Sequence, residues 1–348
     1  MNKKILVLIF ALTLIFSSCS PQSGAEEGVL NVYNWGDYID ESLLSKFEEE
    51  TGIKVIYDTF SSNEDMYIKV KQGIDSYDIL VPSDYMIERL IEEELLNEID
   101  LAQIPNFDYV NDNLKNPAFD PENKYSVPYF WGTGGIIYNA AKITDKIDSW
   151  TDLFNEKYTG KIVMYNSSRD SIAVALKALG YSMNSTDLDE LEEAKALLIS
   201  QKPYVLAYQA DEGRDTLVSG DGDIGFMYSG DALMMIEQNP DLKYVLPKEG
   251  ANIWFDAMVI PKSAQNVEAA HKFINFMCEP ENAAINAEYS VGFSSPIDEA
   301  IELLPDEIKN SEVAYPDDSL LANGEIYKNS KEIIPVYDRI WTEVTAAQ

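Results

Sequence analysis

Two spacings of apolar residues alternate along this chain, one of two residues and one of about 3.6. Leu30 to Tyr33 reads as a strand, and Asp40 then caps a helix carrying Leu43, Leu44 and Phe47 on one face and closed by Gly52. Ile53 to Tyr57 is the next strand, Ser62 to Val70 a second capped helix, Tyr77 to Val81 a third strand and Tyr85 to Leu96 a third helix. A strand followed by a helix three times over predicts a parallel, doubly wound sheet. Ligands of such sheets sit beyond the carboxyl ends of the strands. Here those ends are Trp35 to Tyr38 and Ser83 to Tyr85.

A loop-rich stretch from Ile104 to Pro128 interrupts the pattern, which restarts with a strand at Gly134 to Tyr138. Ile162 to Tyr165, a helix from Arg169 to Leu179 and the strand Ile224 to Tyr228 follow. Val259-Ile260-Pro261 reads as a further strand before a helix from Asn266 to Met277, and the last stretch returns to loops and a terminal helix. This is an α/β chain of two Rossmann-like lobes. No Pro/Gly/Ser linker separates them, so crossing strands are expected to join the lobes as a hinge.

The first residues change the picture of where the protein works. Met1-Asn2-Lys3-Lys4 leads into an apolar run from Ile5 to Phe16, too short to span a bilayer and of the kind that directs export. It ends in Ser17-Ser18-Cys19, which resembles the bacterial lipobox and predicts a lipidated Cys19 and membrane attachment outside the cytoplasm. Ordinary secretory cleavage near Ala25 is the other reading. Residues 20–27 are small and polar, as a tether would be. Cys278 is the only other cysteine, so no disulfide within the mature body is expected.

The chain carries 60 Asp and Glu against 26 Lys and Arg, which makes nucleic acid and anionic lipid poor partners and favours the capture of cations. His271, the single histidine, falls in a helical pattern and reads as a solvent-facing residue, so a catalytic triad or histidine-rich metal site finds no support. No Gly-x-Ser-x-Gly elbow or phosphate loop is present. Asp221-Gly222-Asp223 has oxygen ligands at calcium-like spacing but lacks the remainder of an EF-hand, and reads as a turn before a strand. Neither metal nor cofactor is expected.

Aromatic residues are plentiful, with 21 Tyr, 13 Phe and 5 Trp, and they stand beside oxygens at the predicted strand ends. Tyr33-Asn34-Trp35-Gly36-Asp37-Tyr38, Ser83-Asp84-Tyr85 and Trp254-Phe255-Asp256, the last lying before the return strand, each offer a ring face next to an acceptor. That combination suits an organic cation with an apolar stretch.

These stretches resemble the bacterial spermidine/putrescine-binding proteins of ABC importers. The resemblance runs through Val32-Tyr33-Asn34-Trp35-Gly36-Asp37-Tyr38, Glu50-Thr51-Gly52-Ile53-Lys54-Val55, Val81-Pro82-Ser83, Pro128-Tyr129 with Trp131-Gly132, Leu179-Gly180-Tyr181 and Pro247-Lys248-Glu249-Gly250. It implies a periplasmic-binding-protein type II architecture. The expected division is a signal at 1–18, a lipidated tether at 19–28, one lobe at 29–133 plus 257–303, and a second at 134–256 plus 304–348.

Carried over by position, Trp35, Tyr38, Ser83 and Tyr85 would line the first lobe's side of the cleft, and Asp37 would add a negative charge there if it turns inward. Asp170, in the first turn of a helix whose dipole favours a carboxylate, would face an ammonium from the second lobe. Trp254 and Asp256 match a pair that holds a terminal amine; Tyr228 and Phe293 replace a tryptophan and a tyrosine wall. Ser167 stands where spermidine-preferring members carry an aspartate, and Tyr327 where they carry a glutamine, which leaves putrescine and spermidine both open.

A polyamine enters such a site fully protonated, its amines having pKa near 10. The implied mechanism is closure of the lobes over the ligand and delivery to a membrane permease by a monomeric carrier without covalent chemistry. Two rivals use the same residues. One is a hydrolase with Asp170 and Asp256 as acid and base; the other is a binding protein or sensor of this fold for another small cation.

Overall fold

Capping side chains start the first helices where the sequence places them. Asp40 accepts from the Ser42 N–H and Ser62 from the Asp65 N–H, so helices begin at Glu41 and Asn63, and Gly52 ends the first with a φ of 71° that only glycine adopts cheaply. The computed structural model describes residues 28–347 apart from Asp37, Ile74, Asp75, Val291 and Ser330. The export segment and Cys19 lie outside the described residues, as does Asp37.

The described residues form one mixed sheet. Its strands are β1 (Val29–Trp35), β2 (Lys54–Phe60), β3 (Ile79–Leu80), β4 (Ser126–Asn139), β5 (Ile162–Tyr165), β6 (Val205–Gln209), β7 (Ile224–Tyr228), β8 (Leu242–Val245) and β9 (Asn252–Val259). The order is β2-β1-β3-β9-β4-β7-β5-β6, with β8 pairing on β4. β1 runs parallel to β2 and β3, and β5 parallel to β6 and β7, as the βα pattern requires.

Period-two alternation sends side chains into separate layers. Leu30 and Val32 join a core with Phe47, Phe273 and Ile274, whereas Tyr33 joins another with Leu80, Ile87 and Leu90 on the opposite face. On the far half of the sheet Ile136 and Phe226 pack with Trp150, Leu176 and Ile340, and Ile137 and Met227 pack on the other face with Leu217 and Met235. Each lobe thus has its own core, and a fully buried Leu or Phe stabilises its lobe by about 1.5–3 kcal/mol. β4 and β9, antiparallel to each other over eight register pairs, run between the two halves.

Several boundaries differ from the sequence reading. The strand expected at Gly134 to Tyr138 is only the far part of β4, which starts within the supposed loop at Ser126. The return strand is Asn252–Val259 rather than Val259 to Pro261, so Trp254, Phe255 and Asp256 lie inside it, not before it. Nearly every residue of both strands is buried on both faces, so neither shows the apolar/polar alternation by which a half-exposed strand is recognised. The third helix is Asp84–Glu92, shorter than expected, because Glu94 turns to a φ of 56°. His271 is buried rather than solvent-facing: its Nδ1 meets the Val267 carbonyl at 2.8 Å, and its Nε2 accepts from the Asp100 N–H at 3.0 Å.

Candidate functional site

The site is built where β9 crosses between the lobes. Asp256 sits opposite Phe130 of β4 and is buried, and the Tyr38 hydroxyl donates to its Oδ2 at 2.7 Å. Burial pushes the Asp256 carboxyl up to about 6, opposed by hydrogen bonds from the Ser83 and Tyr38 hydroxyls. Its Oδ1 has no partner, nor have the buried indole N–H groups of Trp35 and Trp254. A buried polar atom left unpaired costs about 1–3 kcal/mol, so the two on the crossing strand, from Trp254 and Asp256, mark a surface shaped for something besides itself.

The second carboxylate stands away from the crossing strand, at the start of a helix. Ser167 caps the helix Ser168–Ala178, its hydroxyl accepting from the Asp170 N–H at 3.3 Å, and this places Asp170 in the first turn. Tyr228 and Tyr327 both donate to Asp170 Oδ1, at 2.7 and 3.0 Å. Burial holds both phenols well above their ordinary range, and the neighbouring carboxylate adds to it. They therefore act as donors at any physiological pH.

A run of edge-to-face rings connects the two carboxylates. Tyr38 meets Phe293 at 4.9 Å between centroids, Phe293 meets Trp254 at 5.9 Å, and Trp254 meets Tyr228 at 6.4 Å. The wall therefore reads Asp256, Tyr38, Phe293, Trp254, Tyr228, Asp170. Two glycines make room for it. A Cβ on Gly132 would stand 2.5 Å from a Trp254 ring carbon, and one on Gly230 would stand 2.8 Å from Phe293.

Other residues singled out in the sequence stand at the flanks. Trp35 ends β1 and packs on Phe60 at 4.5 Å. Ser83 and Tyr85 converge on Asn63, whose Nδ2 donates to both hydroxyl oxygens at 3.1 Å. The Arg169 guanidinium lies 4.2 Å from the Tyr85 ring centroid across the lobes and 5.4 Å from that of Tyr327 within its own lobe. Ser167, expected to line the cleft, is the cap whose hydroxyl accepts from the Asp170 N–H.

Sequence reasoning quoted Asp84 among the strand-end stretches without placing it in the cleft, and passed over Arg169, Gly132 and Gly230. Asp84 is fully buried; its Oδ1 accepts from the Tyr85 N–H at 2.6 Å and its Oδ2 from the Phe255 N–H at 3.2 Å, tying the third helix to β9. Burial lifts its carboxyl to about 8, against the pull of those two N–H groups. Asp84 and Arg169 each adjoin a residue that was singled out, and only the fold shows which neighbour turns inward. Among the described residues no cluster of three or more His, Cys, Asp and Glu could hold a metal, and no helix is long and apolar enough to cross a membrane.

Residues 42–315 match the family model of bacterial extracellular solute-binding proteins. The chain belongs to this family. Among curated relatives, the spermidine/putrescine-binding periplasmic protein of Escherichia coli is 35% identical over 325 residues, covering 93% of each chain. Two solved structures are similar throughout. The spermidine/putrescine ABC transporter substrate-binding protein PotD from Streptococcus pneumoniae is 43% identical with a TM-score of 0.84, covering 91% of this chain and 98% of its own. The TpPotD lipoprotein of Treponema pallidum is 30% identical with a TM-score of 0.83, covering 91% and 99%. This solute-binding protein therefore has the two-lobed periplasmic-binding-protein fold expected from its sequence.

Proposed function

We propose that this solute-binding protein captures polyamines, putrescine or spermidine, between its lobes and delivers them to the permease of an ABC importer. The observation that carries the reading is the wall of rings from Asp256 to Asp170. Each carboxylate has one oxygen engaged by tyrosine hydroxyls; Asp256 Oδ1 is left for an ammonium group, while the rings between cover methylenes. A desolvated ammonium without a carboxylate would cost several kcal/mol; Asp256 and Asp170 meet that cost at the two ends of the wall, and the first lobe's Tyr38 completes it from the other side. The proposed ligand set is Trp35, Tyr38, Ser83, Tyr85, Ser167, Asp170, Tyr228, Trp254, Asp256, Phe293 and Tyr327, with Asp37 added from the sequence reading alone. The names of the relatives support the same ligand class.

In this reading the lobes are 29–133 plus 257–303 and 134–256 plus 304–348, with β4 and β9 as the hinge. Cys19 carries the lipid anchor, a reading supported by the sequence around it and by a lipoprotein relative. Binding and closure require no covalent step, so Asp170 and Asp256 serve as counter-ions rather than as acid and base. Thermal-shift titration against diamines, triamines and amino acids tests the assignment: putrescine or spermidine should raise the midpoint by several degrees. A panel in which only amino acids stabilise the protein would overturn it.

A further inference from the structure

Outside the ring-lined wall, a second set of contacts joins the lobes. The segment after Ala322 belongs to the second lobe, where Glu325 pairs with the buried Lys177 at 2.8 Å and the Asn184 amide donates to the Ile326 carbonyl at 2.9 Å. Asn184 Oδ1 accepts from the Lys328 N–H at 2.9 Å, so the segment is held on both sides of Tyr327. Just beyond this anchorage the chain reaches across to the helix Asp84–Glu92 of the first lobe. The Asn329 N–H donates to Glu88, its side-chain amide donates to Glu92 at 3.0 Å, and Lys331 lies 3.1 Å from Glu92 and 3.6 Å from Glu93.

The acidic side of this contact is held in place beforehand. Glu93 accepts from the Tyr67 hydroxyl at 2.7 Å and from Lys71 and Arg89 at 3.0 and 3.3 Å, and these bonds, that of Tyr67 foremost, hold its carboxyl down to about 2. Glu93 is thus fully ionised where Lys331 arrives.

We infer that Asn329 and Lys331, set against Glu88, Glu92 and Glu93, form a latch between the lobes that sets ligand affinity without touching the ligand. The inference rests on the cleft-closure reading above. Contacts present only in the closed form shift the open–closed equilibrium by their own free energy, and tighten any ligand that needs the closed form by the same factor. Glu92 and Lys331 are both nearly half exposed, so the effect is modest and sensitive to salt. In a chain so rich in carboxylates, a lysine placed on an acidic helix face also removes a repulsion that would otherwise hold the lobes apart.

Lys331→Glu, Glu92→Lys and the charge-swapped double variant test this in a Cys19→Ser background, with spin labels on Ile68→Cys and Leu206→Cys, exposed positions in opposite lobes. Cys278 is buried and stays unlabelled. Lys331→Glu should lengthen the interlobe distance of the ligand-free protein and weaken putrescine binding by roughly three- to ten-fold at low salt, the difference shrinking towards none near ~0.5 M salt. The swapped pair should recover much of the loss. An unchanged ligand-free distance distribution in Lys331→Glu overturns the latch. A changed distribution in a protein that binds no polyamine supports the latch and removes the ligand assignment instead.

Discussion

The Tyr38 hydroxyl donates to Asp256 Oδ2 at 2.7 Å, joining the loop after the first strand to a strand 218 residues later. This bond engages one oxygen of a buried carboxylate and leaves Oδ1 to a cation. Asp256→Asn should weaken polyamine binding by more than about ten-fold, because it removes the charge from a desolvated pair. Isothermal titration calorimetry measures it; an unchanged affinity would contradict the role of Asp256.

The same carboxyl makes binding depend on pH. An ammonium pairs only with the ionised form, and burial has raised the Asp256 pKa to about 6. Affinity for putrescine should hold between pH 7 and 8 and fall by roughly five-fold between pH 6 and 5, since the carboxyl is about half ionised at its pKa and about a tenth ionised one unit below. In Asp256→Asn this slope should be flat. For the ligand-free fold the sign is reversed: a raised carboxyl binds its proton more tightly folded than unfolded, so stability declines as pH rises from about 4 to 6.

Asp84 extends that decline to higher pH, since its carboxyl is lifted to about 8 by burial. The wild type should lose stability relative to Asp84→Asn as pH rises from about 4 to about 8, because asparagine has no proton to lose there. Asp84→Ala should cost about 1–3 kcal/mol near pH 4 by stranding the Phe255 and Tyr85 N–H groups, and that cost should shrink as pH rises, because alanine too has no proton to lose. Thermal unfolding of both variants from pH 4 to 9 checks the pair of outcomes.

Gly132 faces Trp254 so closely that any side chain must move the indole. Gly132→Ala should destabilise the fold by about 1–3 kcal/mol through overpacking and weaken polyamine binding by about ten-fold or more through the displaced ring. Denaturant melts and calorimetry separate the two effects. Normal affinity in this variant would mean that Trp254 is not part of the wall.

In the proposed reading, membrane attachment depends on one atom, the Cys19 sulfur. The full chain expressed in a bacterium should partition with the membrane fraction, and its Cys19→Ser variant should be released to the soluble extracytoplasmic fraction. Retention of the variant would assign the anchor elsewhere.

Caps and apolar periods made the first lobe readable. Asp40, Ser62 and Gly52 act locally, through bonds to residues two to four positions away, and the helices they bound lie close to where they were expected. The parallel arrangement of β1, β2 and β3 followed from the strand-helix repeat in the same way. The ring and carboxylate stretches at Trp35 to Tyr38, Ser83 to Tyr85 and Trp254 to Asp256 were legible as types of residue, and the solute-binding family was legible in their order along the chain.

What the sequence by itself determined is what short-range chemistry determines: the helix starts, the strand-helix rhythm and the supply of rings and carboxylates. Tertiary structure alone decided that Asp256 lies within a strand rather than before it, that two tyrosines 99 positions apart, Tyr228 and Tyr327, donate to one oxygen of Asp170, and that Asp84 turns inward. It also buried His271 against the Asp100 N–H. These outcomes depend on which faces of β4 and β9 are covered from both lobes. That coverage comes from residues far away along the chain, so no local period records it.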